Sequence, residues 1–351
     1  MIVAINANFD NTSTPTQGLR ARKRNPMTSL SNPVSKPFSI RRAAWLVATP
    51  LALAAQLAMA GGDIGFTADT AYPEGVAWSA QQQAFLVSSV RHGTIGKVNL
   101  RGEYSAFITD SALVTTAGLA LDAKRKLLWV AIGDLGAATR SGPATQGKLA
   151  AVAAYDVKTG QRVAYHDLGS LFAGSHFAND MTLDAQGNVY VTDSFSPVIY
   201  RVDAAGKATV FAQSELFTGE NFNLNGIVAH PDGYLLVNKH NSGELFRVSL
   251  NDPTQIVRVQ LPEALKGADG MVLRSPGRVT LVQNSGADRT LDLVSNDGWK
   301  TATIARTQKS AQSFPTTAAQ VGKDVYVVNS RLDTLLTPDA PKVSDFILQK
   351  Y

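Results

Sequence analysis

The sequence predicts an all-β chain folded as a six-bladed β-propeller around a central metal site, and three observations predict it. After Gly61, short runs of Val, Leu, Ile, Tyr and Phe punctuated by Gly, Asp and Asn replace any long helical pattern. One unit of strand, turn and strand recurs six times with a period near 45 residues, the length of a four-stranded propeller blade. Carboxylate or carboxamide side chains open four of those six units in one register.

Residues 1–60 stand apart from the repeats. Arg20, Arg22, Lys23, Arg24, Lys36, Arg41 and Arg42, with the single acid Asp10, surround or precede an apolar run from Ala43 to about Ala55 that ends in Ala58-Met59-Ala60. A positive region, a short apolar stretch and an Ala-x-Ala site read as a secretory signal peptide. The run is too short to span a bilayer, which takes about 20 apolar residues. Met27 is an alternative start, and Arg41-Arg42 admits a twin-arginine signal. A mitochondrial presequence is the rival reading; the Ala-x-Ala ending disfavours it.

The whole chain carries 33 Lys and Arg against 28 Asp and Glu, a net charge of +5. Without residues 1–60 the counts become 26 and 27. The basic excess therefore sits in the segment expected to be removed, and a nucleic-acid partner is not indicated. The absence of Cys excludes a disulfide scaffold, thiolate metal sites and a cysteine nucleophile. An exported chain without Cys fits a bacterial periplasm or secretion from a bacterium. The expected partner is a small-molecule substrate, with no stable membrane insertion once the signal is gone.

The repeats run in order through residues 61–351. Glu74-Gly75-Val-Ala-Trp leads to Ala84-Phe-Leu-Val-Ser-Ser, and Ala117-Gly118-Leu-Ala-Leu-Asp to Leu127-Leu-Trp-Val-Ala. Asn179-Asp180-Met-Thr-Leu-Asp leads to Asn188-Val-Tyr-Val-Thr-Asp-Ser, and Asn225-Gly226-Ile-Val-Ala-His to Tyr234-Leu-Leu-Val-Asn-Lys-His. Asp269-Gly270-Met-Val-Leu precedes Arg278-Val-Thr-Leu-Val-Gln-Asn, and Thr316-Thr-Ala-Ala-Gln precedes Asp324-Val-Tyr-Val-Val-Asn-Ser. The intervals are 43, 62, 46, 44 and 47 residues. The long one holds a Gly/Ala/Thr/Ser-rich insertion near 133–148, expected as a surface loop. Ring closure needs a borrowed strand, and Ile64–Ala68 is available to complete the last blade beside Phe346-Ile-Leu.

In a propeller the first strand of each blade lines the central channel, so its opening residues converge. Singly, Glu74, Asn179, Asn225 and Asp269 are ordinary turn formers before a strand. Turn chemistry, however, does not require carboxyl or carboxamide oxygens at four positions of one ring. Two carboxylates and two carboxamides offer oxygen donors alone and two negative charges, which suits a hard divalent cation. Ca²⁺ is the first choice, with Mg²⁺ or Mn²⁺ as alternatives.

The motifs Pro73-Glu74-Gly75, Asn179-Asp180, Asn225-Gly226 and Asp269-Gly270 resemble those of the senescence marker protein/gluconolactonase family of six-bladed propellers, over about residues 70–330. The resemblance implies a metal-dependent lactone hydrolase. It implies Glu74, Asn225 and Asp269 as metal ligands, Asn179 at the metal or on its substrate side, and Asp269 also as general base. Many sugar-lactone members carry Arg two residues before the Asn of the Asn-Asp motif; here that residue is Phe177. An apolar ring there points to a substrate less polar than an acidic sugar lactone.

The second strand of each blade ends on the face where the first begins. That rule nominates Asp193, Asn238, Lys239, His240 and Asn284 as substrate-binding residues, with His176 and Phe177 beside the Asn-Asp motif. His240 and Lys239 are candidates to stabilise an oxyanion or relay a proton. Gly-x-Ser-x-Gly, His-Glu-x-x-His, phosphate-loop and dinucleotide signatures are missing from the sequence. The expected activity is a Ca²⁺-dependent lactonase or related esterase. The alternatives are a non-catalytic binding propeller with a structural ion and a non-hydrolytic enzyme of the strictosidine-synthase type.

Overall fold

The computed structural model describes residues 61–351. The expected signal segment, its Ala58-Met59-Ala60 site and the alternative start at Met27 lie outside the described residues. Among the described residues, no helix is long and apolar enough to cross a membrane.

Six antiparallel four-stranded sheets follow one another along the chain. Their inner strands are Val76–Ser79, Thr115–Asp122, Ala178–Leu183, Leu224–His230, Ala268–Ser275 and Pro315–Val321. Each inner strand pairs with the strand that follows it, and the third and fourth strands extend the sheet outward. The last sheet takes its outermost strand from the start of the described chain. Ile64–Thr67 pairs antiparallel with Asp345–Lys350, Ile64 opposite Leu348 and Phe66 opposite Phe346. This closes the six-bladed propeller in the way the spare apolar runs suggested.

The core lies between the blades. Among the described residues, six apolar clusters each join two neighbouring sheets. The second strands are therefore covered on both faces, which is why Tyr234–Lys239 and Leu127–Gly133 read as nearly continuous apolar runs and not as alternating ones. The fourth strands, such as Arg162–Asp167 and Thr303–Lys309, are largely exposed.

Two departures from the repeat stand beside the central channel. The insertion of blade two lies between Leu127–Gly133 and Ala150–Asp156 and is organised by a buried carboxylate. Asp134 accepts hydrogen bonds from Gly136 N at 2.7 Å, Ser141 Oγ at 2.5 Å and Thr145 Oγ1 at 2.7 Å. Arg140 then ties the loop to blade one through the carbonyls of His92 and Leu113, at 2.8 and 2.7 Å. In blade six a short helix, Leu332–Leu336, separates the second and third strands.

Candidate functional site

Five of the six inner strands break register where they face the channel. In blade three, Ala178 pairs with Asp193 and Met181 with Val191, so Asn179 and Asp180 together oppose one residue. The same bulge carries Asn225-Gly226, Asp269-Gly270, Ala117-Gly118 and Thr316-Thr317 in their blades. A β-bulge re-aims side chains and sharpens strand twist; here it falls on the residues expected to carry the chemistry. The glycines have a second reason. A Cβ on Gly226 would lie 2.2 Å from the Asp269 carbonyl oxygen, and one on Gly75 would lie 2.3 Å from that of Ala117. Neither glycine has a positive φ, so close backbone approach, not turn conformation, requires it.

The four residues expected as ligands share one property. Glu74 Oε2, Asn179 Oδ1, Asn225 Oδ1 and Asp269 Oδ1 are all buried without a hydrogen-bond partner. At Asn179 the amide orientation follows from its neighbours. Ser194 Oγ gives its hydrogen to the Leu224 carbonyl at 2.6 Å and so accepts from Asn179 Nδ2 at 2.9 Å, which leaves Oδ1 free. Buried oxygens without partners are costly and uncommon, and these four all line one cavity.

The electrostatics agree. Burial pushes the Glu74 carboxyl well above the usual carboxylate range, and the negative charges of Asp269 and Asp180 add to it. Asp269 is raised by burial and by Asp180, against the opposing pull of Asn284, the Gly270 N–H and Asn225. Asp180, next in the channel, is pushed up to about 7 by burial. Three buried carboxyls repel one another unless protons or a cation neutralise them. The residues present therefore fit a hard divalent ion. Among the described residues, no group of three or more His, Cys, Asp and Glu is placed to hold a metal; this set takes half its oxygens from carboxamides.

These residues floor a central cavity of about 140 Å³. Its wall is apolar: Phe177, Phe222 and Phe314, with Leu135 from the insertion and Leu332 and Leu336 from the short helix. Phe177, Phe195 and Phe222 pack in a cluster of tilted and edge-on rings with centroids 5.2 to 5.9 Å apart. Larger clefts of about 350 and 480 Å³ open among turns such as 122–125 and 184–187, but neither is lined by several orphaned oxygens.

Of the residues nominated for substrate, Phe177, His240 and Asn284 line the cavity, and His176, Asp193, Asn238 and Lys239 do not. Asp193 is fully buried: Oδ1 accepts from the backbone of Phe177, Phe195 and Ser196 at 2.9, 3.0 and 3.1 Å. Its Oδ2 accepts from His176 Nδ1 at 2.8 Å and Tyr200 OH at 3.1 Å. His176 Nε2 donates to the Phe172 carbonyl at 2.9 Å, so both ring nitrogens are spent. The Asp193 hydrogen bond raises the His176 pKa, against desolvation. Asn238 bridges two inner strands, accepting from Gly226 N at 3.2 Å and donating to the Asp269 carbonyl at 2.5 Å. Lys239 Nζ donates to the carbonyls of Leu216 and Thr218, at 3.1 and 2.5 Å, and holds that loop.

Neither a protein-family model nor a curated protein matches the chain. Solved structures do. The allergen Mala s 1 of Malassezia sympodialis is 20% identical with a TM-score of 0.67, over 82% of this chain and 95% of that one. Regucalcin from Agrobacterium tumefaciens, described as a calcium-binding protein, is 18% identical with a TM-score of 0.58, over 79% and 90%. A gluconolactonase from Xanthomonas campestris is 16% identical with a TM-score of 0.55, over 81% and 88%. The chain shares its fold with all three. Gluconolactonase and regucalcin are the kind of propeller that the sequence motifs resemble, and at these identities the likeness carries the fold alone.

Proposed function

We propose that this chain is a metal-dependent hydrolase of small, neutral lactones or related esters with an apolar flank, using Ca²⁺. The observation that carries the reading is the ring of four orphaned oxygens from Glu74, Asn179, Asn225 and Asp269 in a largely apolar cavity. The gluconolactonase among the similar structures supports lactone chemistry, and the calcium-binding description of the regucalcin structure supports the choice of ion. A divalent cation held by the ring supplies Lewis-acid polarisation of an ester carbonyl. The protein's own part is placement. Phe177 and Phe222 flank the substrate and exclude water, and Asn284 Nδ2 fixes the Asp269 carboxylate through Oδ2 at 2.5 Å. The cavity lining contains no Lys or Arg, so a substrate carboxylate finds no guanidinium or ammonium partner there. We place the protein in a bacterial periplasm or outside the cell, on the reading of residues 1–60 as an export signal.

The test is hydrolysis of a panel of alkyl- and aryl-substituted lactones before and after chelation. Turnover should disappear with the metal and return with Ca²⁺; turnover that survives both chelation and Asp269→Asn overturns the reading. A second reading, a non-catalytic propeller with a structural ion, draws on the same orphaned oxygens and the calcium-binding description of regucalcin. Ca²⁺-dependent stability with no turnover on any lactone or ester selects it.

A further inference from the structure

Asn179 lines the cavity from a bulge, where the backbone alone does not decide which end of its side chain faces inward. The two ends of a carboxamide are alike in shape and opposite in hydrogen bonding: the oxygen accepts and the nitrogen donates. Only the oxygen can meet a cation. The neighbour behind Asn179 makes the choice. Ser194 Oγ stands 2.9 Å from Asn179 Nδ2 and 2.6 Å from the Leu224 carbonyl oxygen. A serine hydroxyl has one hydrogen, and a carbonyl oxygen only accepts, so that hydrogen goes to Leu224. What Ser194 offers Asn179 is a lone pair. With the amide turned over, two acceptors would face each other and the nitrogen would replace Oδ1 among the orphaned oxygens.

Ser194 is held on both sides. It is fully buried. Its N–H donates to the Phe177 carbonyl at 2.9 Å, and its carbonyl accepts from Asn223 N at 2.9 Å and Asn223 Nδ2 at 3.2 Å. Phe177 leads into the inner strand of blade three and Asn223 into that of blade four, so the hydroxyl stands at the seam between two blades. It lies outside the cavity lining and acts there only through Asn179. We infer that Ser194 is a positioning residue for the ion site: it gives its hydrogen to blade four so that the Asn179 oxygen, and not its nitrogen, faces the cation. The inference rests on the metal-dependent reading above. Without the hydroxyl, Asn179 Nδ2 has no acceptor behind it, and a buried donor left in that state is costly. The amide escapes that cost by turning its nitrogen into the cavity, where the hydrogens repel a cation.

Calcium titration calorimetry on the metal-stripped protein tests this without turnover. Ser194→Ala should raise the Ca²⁺ Kd by about 10- to 100-fold, the usual effect of removing a group that orients a metal ligand. Ser194→Cys, a weaker acceptor in the same place, should fall between Ser194→Ala and the parent, and it carries the test if Ser194→Ala does not fold. In the Asn179→Ala background, Ser194→Ala should weaken Ca²⁺ binding no further, because no amide is left to orient. A serine that only staples two blades together would lower the Tm of the chelated protein and leave Kd unchanged. That result in both Ser194 variants, or losses that simply add in the double variant, overturns the inference and leaves the metal reading standing. A parent protein that binds none of Ca²⁺, Mg²⁺ and Mn²⁺ overturns both.

Discussion

Asp193 Oδ1 accepts the backbone N–H of Phe177 at 2.9 Å, so a carboxylate expected to hold substrate instead decides where the aromatic wall of the cavity stands. The same carboxylate holds the His176 ring through Nδ1 at 2.8 Å. Asp193→Ala takes the acceptor from His176 Nδ1 and Tyr200 OH and frees three backbone N–H groups. Leaving a buried donor without its acceptor costs about 1–3 kcal/mol. The expected result is a large fall in Tm by calorimetry and loss of any selectivity that depends on Phe177.

The channel carboxyls make stability depend on pH in a direction that can be stated. Asp180 has a pKa of about 7 in the fold against an ordinary value of 3.8, and Glu74 and Asp269 are raised as well. The folded chain therefore holds these protons more tightly than the unfolded one. The stability they confer is complete below about pH 4 and drains away as pH rises through about 7. Chelated protein should lose Tm across that window. Ca²⁺ should oppose the loss, because a cation replaces the protons; melts with and without Ca²⁺ at several pH values that ran parallel would contradict the site.

Glu74→Gln and Asp269→Asn keep size and remove one charge each from the ring. Binding to the folded state alone stabilises by about 2.7 kcal/mol when Ca²⁺ is at 100 times its Kd. Each variant should shrink the Ca²⁺-dependent rise in Tm, and Ca²⁺ titration calorimetry should show weaker binding. An unchanged Ca²⁺ response in both would remove these carboxylates from the ion.

Gly226→Ala tests the close packing of the inner strands. The added methyl meets the Asp269 carbonyl oxygen at 2.2 Å, so backbone must move; overpacking of this kind costs about 1–3 kcal/mol. Gly65→Ala, with nothing within 4 Å of the added carbon, is the control and should leave Tm nearly unchanged.

Phe177→Arg places a guanidinium where the cavity has an apolar ring. The ratio of kcat/KM for a neutral alkyl lactone over an acidic sugar lactone should fall by at least about tenfold. A ratio that does not move would take Phe177 out of substrate selection.

The blades and the ring of oxygens were legible for one reason: both repeat. A period near 45 residues brings Glu74, Asn179, Asn225 and Asp269 into one register, and the bulges then turn that register into convergence. The cavity wall was mostly not legible. Leu135, Phe222, Phe314, Leu332 and Leu336 come from loops and a helix that no other blade has, so no register marks them. Asp180 was visible beside Asn179, but only its burial in the channel shows that its charge bears on Glu74 and Asp269. The strand-end rule failed where it ignored side-chain alternation. Asn238, Lys239 and His240 are consecutive and face in different directions: Asn238 toward the neighbouring inner strand, Lys239 toward 216–218, and His240 into the cavity.

Pairing of Ile64 with Leu348 places the two ends of the propeller in one sheet. Nearly every other contact in the ring can form as the chain lengthens, but this one waits for the final strand, so the last blade joins residues 64–67 to residues 345–350. A molecule tied in this way has no privileged beginning. With 64 and 348 already neighbours, a short linker would join the ends, and the ring could be reopened in the outer turn between any two blades as a circular permutant with the same sheets and the same channel.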